Sequence, residues 1–142
     1  MADDASDDTT LPTPDVSPNP ETEPYWEAAA EGRLLVMRCV DCDRFYHPPR
    51  ARCPDCLSDD TEWTEASGEG KVYAHSVTRQ MGPPYHEATP YVVAYVELEE
   101  GPRMLTNVVT DDPETLSVGQ SVEVVFHETG DGEYAIPRFR PV

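Results

Sequence analysis

Cys39-Val40-Asp41-Cys42, ten further residues, then Cys53-Pro54-Asp55-Cys56: all four cysteines of the 142-residue chain lie in this stretch of 18. Two C-x2-C pairs flanking a short hairpin bring four thiolates onto two facing knuckles, as tetrahedral Zn2+ requires. Rubredoxin-type iron shares that geometry, but nothing else in the chain suggests redox work, so zinc is the expected ion. Two disulfides are the structural alternative, and they belong to oxidising compartments. Met1-Ala2-Asp3-Asp4 shows neither a positive end nor an apolar stretch behind it, so the expectation is no secretory signal and a reducing cytoplasm. With four protein ligands no coordination position stays open for water or substrate, and the ion is read as structural. A module of about 40 residues is too small to fold on apolar burial alone, and the metal supplies the missing free energy. No thiol is left over as a nucleophile.

Reading outward from the cysteines, the N-terminal side begins as a tail. Residues 1–24 hold seven carboxylates, five prolines and no basic residue, a composition that predicts an unstructured acidic segment. Pro24 suits the first turn of a helix, Trp26, Ala29 and Ala30 follow at helical spacing, and Gly32 supplies a stop. One short amphipathic helix, Tyr25 to Glu31, is expected, too short to stand without docking. Helix and ribbon together make the segment 25–66, and residues 67–142 make a second unit.

That second unit reads as strands: Val72 to Met81, Tyr91 to Leu98, Arg103 to Val109, Val122 to His127 and Tyr134 to Phe139. Pro137 places the last of these at an edge. Asp112-Pro113 opens a capped helical turn between the third and fourth strands. Five strands with a helical element after the third match an OB-fold barrel, with a small sandwich as the competing architecture. The fold class is thus mostly β: a short helix, a rubredoxin-like zinc ribbon and a five-stranded barrel.

The charge balance narrows the function. Against 28 Asp and Glu stand ten basic residues, nine of them Arg, for a net charge of −18. Such acidity with one Lys (Lys71) suits a halophilic cytoplasm, where about 1 M salt cuts the Debye length to about 3 Å. The longest apolar run, Tyr91 to Val96, is far short of the roughly 20 residues of a membrane span. The barrel segment carries five basic and twelve acidic residues, so a single-stranded nucleic-acid binder, the alternative function, lacks its electrostatic half. His47, His75, His86 and His127 sit in no nucleophile, metalloprotease or acid–base signature, and no phosphate-binding loop occurs. The chain reads as having no active site of its own. Residues 33–52 break the acidity, with Arg33, Arg38, Arg44, Arg50 and Arg52 against Asp41 and Asp43. Those arginines suit the phosphates of a ligand such as coenzyme A, or they offset the charge of the thiolate site. Tyr25, Trp26, Phe45 and Tyr46 suit a protein surface if exposed and helix-on-ribbon packing if buried.

The order of these motifs resembles one family. Tyr25-Trp26-Glu27, Glu31-Gly32-Arg33-Leu34, the two cysteine pairs, Phe45-Tyr46-His47-Pro48-Pro49-Arg50, Trp63, Gly70-Lys71-Val72-Tyr73 and Pro137-Arg138-Phe139-Arg140-Pro141 are similar to the zinc-ribbon/OB-fold acyl-CoA-associated proteins, the domain of unknown function 35 type. The resemblance covers about residues 24–142. It implies a non-catalytic accessory subunit held against a thiolase-superfamily enzyme, such as acetoacetyl-CoA thiolase or β-ketothiolase, in some relatives together with hydroxymethylglutaryl-CoA synthase. It also implies structural Zn2+ at Cys39, Cys42, Cys53 and Cys56, with a CoA thioester near the subunit interface. Arg33, Arg44, Pro48, Pro49, Arg50, Tyr25 and Trp26 are then the expected contacts to CoA or the partner.

Overall fold

The structure, a computed structural model, describes residues 11–142. Helix α1 (Glu23–Ala30) starts two residues before the expected Tyr25. Asn19 and Thr22 exchange side-chain and backbone hydrogen bonds ahead of it, and Pro24 fills the first turn, where a missing N–H costs nothing. It ends at Gly32, whose φ of +79° lets the Gly32 and Arg33 amides turn back to the carbonyls of Ala29 and Ala28.

Strands β1 (Leu35–Cys39), β2 (Phe45–Tyr46) and β3 (Thr61–Glu65) form an antiparallel sheet in the order β2-β1-β3. Five more strands follow: β4 (Glu69–Thr78), β5 (Tyr91–Leu98), β6 (Arg103–Val108), β7 (Ser121–Glu128) and β8 (Ala135–Pro141). They close into a barrel in the order β4-β5-β6-β8-β7, with β6 and β8 parallel and a 3-10 turn, Pro113–Thr115, after the third strand. This is the OB-fold arrangement and it disposes of the sandwich. In β5 Val92, Ala94, Val96 and Leu98 are buried toward the barrel, while Tyr91 on the opposite face is buried against Leu11 and Ala88.

Closure changes the reading of Pro137. β8 is not an edge; it pairs with β7 from Val122↔Pro141 to Glu128↔Ala135. The carbonyl of Phe139 accepts from the Val109 amide (2.7 Å), and the carbonyl of Pro137 faces the Thr106 hydroxyl (3.4 Å). Backbone groups of alternate residues point the same way, so the N–H that Pro137 lacks would face β6, where β8 pairs only at Val108↔Phe139. The β7 ladder loses nothing.

Three apolar clusters hold the described residues, two of them around the barrel and the sulfurs. In the larger, Tyr25, Leu34 and Val36 from the helix and first strand pack with Val72, Val96, Val122 and Phe139 of the barrel. The smaller, Met37, Tyr46, Cys39 and Cys53, surrounds the sulfurs, and Trp63 packs against both.

From residue 11 on, the acidic segment makes contacts with the barrel. Leu11 is buried against Ala88 and Tyr91, the Gly130 amide donates to the Thr13 carbonyl (3.0 Å), and the Asp131 amide donates to Asp15 Oδ1 (3.1 Å). Buried Arg138 donates from Nη2 to the Pro12 carbonyl at 2.7 Å, while its Nη1 meets His127 Nδ1 at 3.0 Å. Composition argued against an apolar core for this stretch; what anchors it instead is chiefly its backbone carbonyls. The first ten residues of the expected tail lie outside the described residues.

Candidate metal centre and its surroundings

The knuckles repeat one backbone device. The Cys39 amide donates to the Arg44 carbonyl (2.8 Å) and the Cys53 amide to the Ser58 carbonyl (2.9 Å), each reaching five residues on. In both loops the residue after the second cysteine takes the left-handed conformation, Asp43 at φ 59° and Leu57 at φ 65°. Asp tolerates that region; for Leu57 it is strained, by roughly 1–2 kcal/mol.

These turns gather the four Sγ atoms within 4.8 Å of one another, with Cys39–Cys56 at 3.5 Å and Cys42–Cys53 at 3.6 Å. Four sulfurs at about 2.3 Å from one Zn2+ stand about 3.8 Å apart, so the cluster is already at the spacing the ion needs. Cys39 and Cys53 are fully buried while Cys42 and Cys56 face outward, which lets the ion enter from one side. Backbone amides turned toward Cys53, those of Cys56 and then Asp55, draw its thiol down to about 7, favouring the thiolate that a metal binds. The residues fit a structural zinc ion, held by Cys39, Cys42, Cys53 and Cys56, with no position open for catalysis.

His47 is not a fifth donor. Its ring lies 5.6 Å from that of Tyr25, and burial lowers its pKa to about 4. The sign follows from linkage. The unfolded imidazole titrates near 6.5, so the unfolded chain binds more protons than the folded one between about pH 6.5 and 4. The stability held by neutral His47 is complete above that window and is lost as pH falls through it, by on the order of 3 kcal/mol. Replacing His47 by Phe should make the melting temperature flatter between pH 7 and 5 than in the wild type; equal slopes would show that His47 does not set the dependence.

The other expected contacts separate. Tyr25 is buried, with Trp26 edge-on at 5.0 Å, so Tyr25 is core and not an exposed contact. Arg33 is held by Glu31 (2.9 Å) and Glu65 (3.4 Å), Arg38 by Asp43 (2.6 Å) and Glu62 (3.0 Å), and Arg44 by Asp55 (2.8 Å). Three of the five arginines are therefore balanced locally, a use that spacing alone left open. Arg52 donates to the Leu57 carbonyl (3.1 Å). Arg50 is exposed and makes no ion pair among the described residues; its carbonyl accepts from the Tyr46 hydroxyl (2.7 Å), which pins the Pro48-Pro49-Arg50 loop. Between ribbon and barrel, Cys42, Asp43, Arg44, Phe45, Asp55 and Glu100 line an open groove of about 510 Å3, a setting too acidic for phosphate.

A knuckle pair joined to a closed five-stranded barrel defines a zinc-ribbon OB-fold protein. Residues 26–62 match the family model of the ChsH2 rubredoxin-like zinc ribbon domain, and residues 63–127 that of the ChsH2 C-terminal OB-fold domain. The chain belongs to this ChsH2/DUF35 family. It is 41% identical over 103 residues to a DUF35 domain-containing scaffold protein of Methanocaldococcus jannaschii, covering 69% of this chain and 72% of that one. A probable enoyl-CoA hydratase alpha subunit of Thermomonospora curvata is 42% identical over 117 residues, 82% of this chain but 36% of its own length. The chain thus spans about a third of that relative. The benzoylsuccinyl-CoA thiolase subunit BbsA of Thauera aromatica is 28% identical, covering 78% of this chain and 77% of that one. Among solved structures, a chain of the Ltp2-ChsH2(DUF35) aldolase superposes with a TM-score of 0.79 at 39% identity, covering 89% of this chain and 98% of that one. No helix among the described residues is long and apolar enough to cross a membrane.

Proposed function

We propose that this protein is a non-catalytic accessory subunit of an acyl-CoA-processing complex, working beside a thiolase-superfamily catalytic subunit in a reducing, salt-rich cytoplasm. One observation carries the reading: nearly the whole of a chain from an aldolase complex, 98% of it, is matched by this chain, ribbon and barrel together. Relatives named as a thiolase subunit, a hydratase subunit and scaffold proteins agree with it. The chemistry supports a non-catalytic role, because the four thiols form the metal cluster, His47 packs on Tyr25 and His127 engages Arg138. In this reading residues 25–66 and 67–142 are the two working modules, and the CoA arm passes near the Pro48-Pro49-Arg50 loop.

The test is recovery of the native complex at molar salt and identification of its catalytic chain. An acyl-CoA enzyme whose activity collapses without this subunit is the expected result. Full activity of that enzyme alone, or recovery of this chain by itself, would refute the proposal. Within the complex, Arg50→Ala should weaken CoA binding about fivefold, the loss of about 1 kcal/mol from one exposed charge contact. Arg33→Ala should leave it unchanged, since that guanidinium is held by Glu31 and Glu65. Calorimetric titration with CoA reads both variants, and unaltered binding by Arg50→Ala would remove that loop from the CoA path.

A further inference from the structure

The solvent face of an antiparallel sheet whose other face fills a core is ordinarily polar. The outer face of β4, β5 and β6 carries an apolar patch among its polar residues. Tyr73 and Tyr95 are each 47% exposed there, and Leu105 is 58% exposed. Register sets them side by side: Ala74 stands opposite Tyr95, and Tyr95 opposite Leu105. Ala74, Ser76, Val93, Tyr95 and Leu105 line an open groove of about 250 Å3. Inward neighbours on the same strands, Val72, Val92, Ala94, Val96 and Met104, already fill the barrel, so its core does not need the outer residues. Solvation of a chain with 28 carboxylates does not need them either.

Two further features make the face a recognition surface. The guanidinium of Arg103 lies 3.8 Å above the centre of the Tyr73 ring and 3.6 Å from Glu97. That clamp orders an exposed aromatic before any partner arrives, and so lowers the entropy cost of docking. Glu97 then leads into a second groove of about 550 Å3, where Glu69, Glu99 and Glu123 join it; Arg140 pairs with Glu123 (2.7 Å) and Arg103 with Glu97, which leaves Glu69 and Glu99 beside Lys71 as the excess negative charge. An apolar centre therefore borders an acidic flank.

We infer that the outer face of β4–β6 docks a protein, and that its occupant is the catalytic subunit of the proposed complex, presenting an apolar spot bordered by Arg or Lys. The inference rests on the accessory-subunit reading and gives it a surface, one distinct from the helix and ribbon that the sequence favoured. Charge selects this occupant. A two-fold contact between copies would bring Glu69 and Glu99 of both chains to within a few ångströms of each other, the short range at which salt screens least. Single-stranded nucleic acid would find tyrosines to stack on, but beside carboxylates that repel its backbone.

The experiment uses the catalytic subunit that copurifies with the native chain, identified by mass spectrometry and then titrated with the full-length recombinant chain in its zinc form. Tyr95→Ser combined with Leu105→Ser should weaken binding at least about 30-fold, as loss of a central apolar anchor does. Val118→Ser, at an exposed apolar residue in the loop before β7 and away from this face, should change it by less than about threefold. The Tyr95 and Leu105 substitutions are also made singly, and zinc content and melting temperature separate lost docking from lost folding. Undiminished binding by the Tyr95 and Leu105 variants overturns the inference while leaving the accessory-subunit reading in place. So does dimerisation of the wild-type chain that the same substitutions abolish, or their abolition of binding to a thymidine oligonucleotide. Failure of any acyl-CoA enzyme to copurify overturns both.

Discussion

Removing the metal with a chelator, or replacing Cys53 by Ser, is expected to unfold the knuckles and β2 while the barrel persists. The two halves are held by different forces. Around the sulfurs the buried apolar set is small, Met37 and Tyr46 beside Cys39 and Cys53, and β2 is two residues long. Structural zinc contributes about 10–16 kcal/mol in comparable peptides, about as much as the whole stability of an ordinary domain, so nothing local replaces it. The barrel has its own core of Val72, Val96, Val122 and Phe139, and the start of β1 stays attached through Leu34 and Val36. Trp63 reports the boundary because it packs against both clusters. Its fluorescence should shift to longer wavelength on chelation, while far-ultraviolet circular dichroism keeps most of its strand signal. The metal-free chain should still melt cooperatively. Loss of both signals together would show that ribbon and barrel fold as one unit; retention of both would show that the ion is dispensable.

How far the sequence reveals this molecule depends on the range of the interaction concerned. Metal ligation is local, so the spacing of Cys39, Cys42, Cys53 and Cys56 announces the site, and the apolar face of Val92, Ala94, Val96 and Leu98 announces β5 at its observed bounds, Tyr91–Leu98. The segment after residue 10 is opaque for the opposite reason. The Asp15 carboxylate accepts from the Asp131 amide and the Pro12 carbonyl from Arg138 across 116 and 126 positions, and a carbonyl acceptor carries no side-chain signature. Arg33 and Arg38 looked like a reserve of positive charge because half of what holds them is distant: beside the local Glu31 and Asp43, their partners Glu65 and Glu62 lie 32 and 24 residues away on β3. The outer face of β4–β6 needs register before Tyr95 and Leu105 can be seen as neighbours. Leu57 hides its left-handed turn because a side chain that rarely adopts that conformation occupies it.

Gly70 shows how one residue decides whether the barrel can close, and Gly70→Val is the second substitution expected to have a large effect. The glycine stands where β4 is paired on both sides, with Leu98 of β5 and with Val122 of β7. A Cβ there would lie 2.6 Å from the carbonyl oxygen of Glu97 and 2.8 Å from Val96 Cγ1. The carbonyl is backbone in a paired strand and cannot swing aside as a flexible side chain does. Ordinary overpacking costs about 1–3 kcal/mol, and two branched methyls against a fixed carbonyl should exceed that range. The strain falls on the seam, so β4 must withdraw either from β5 or from β7. Hydrogen exchange should then quicken at the Val72 amide, which donates to the Gln120 carbonyl beside that seam, and at Val124, which donates to Gly68. The melting temperature should fall by more than about 10 °C, since about 1 kcal/mol moves a domain of this size by about 3–5 °C. Gly82→Ala is the control, because nothing lies within 4 Å of its Cβ position, and it should be neutral or stabilising by about 0.4–1 kcal/mol. Zinc content should stay at one ion per chain in both variants, because the knuckles do not touch this seam. A Gly70→Val protein that melts with the wild type would mean that β4 can shift along its neighbours, and that the seam is held by the other strands rather than by close approach at Gly70.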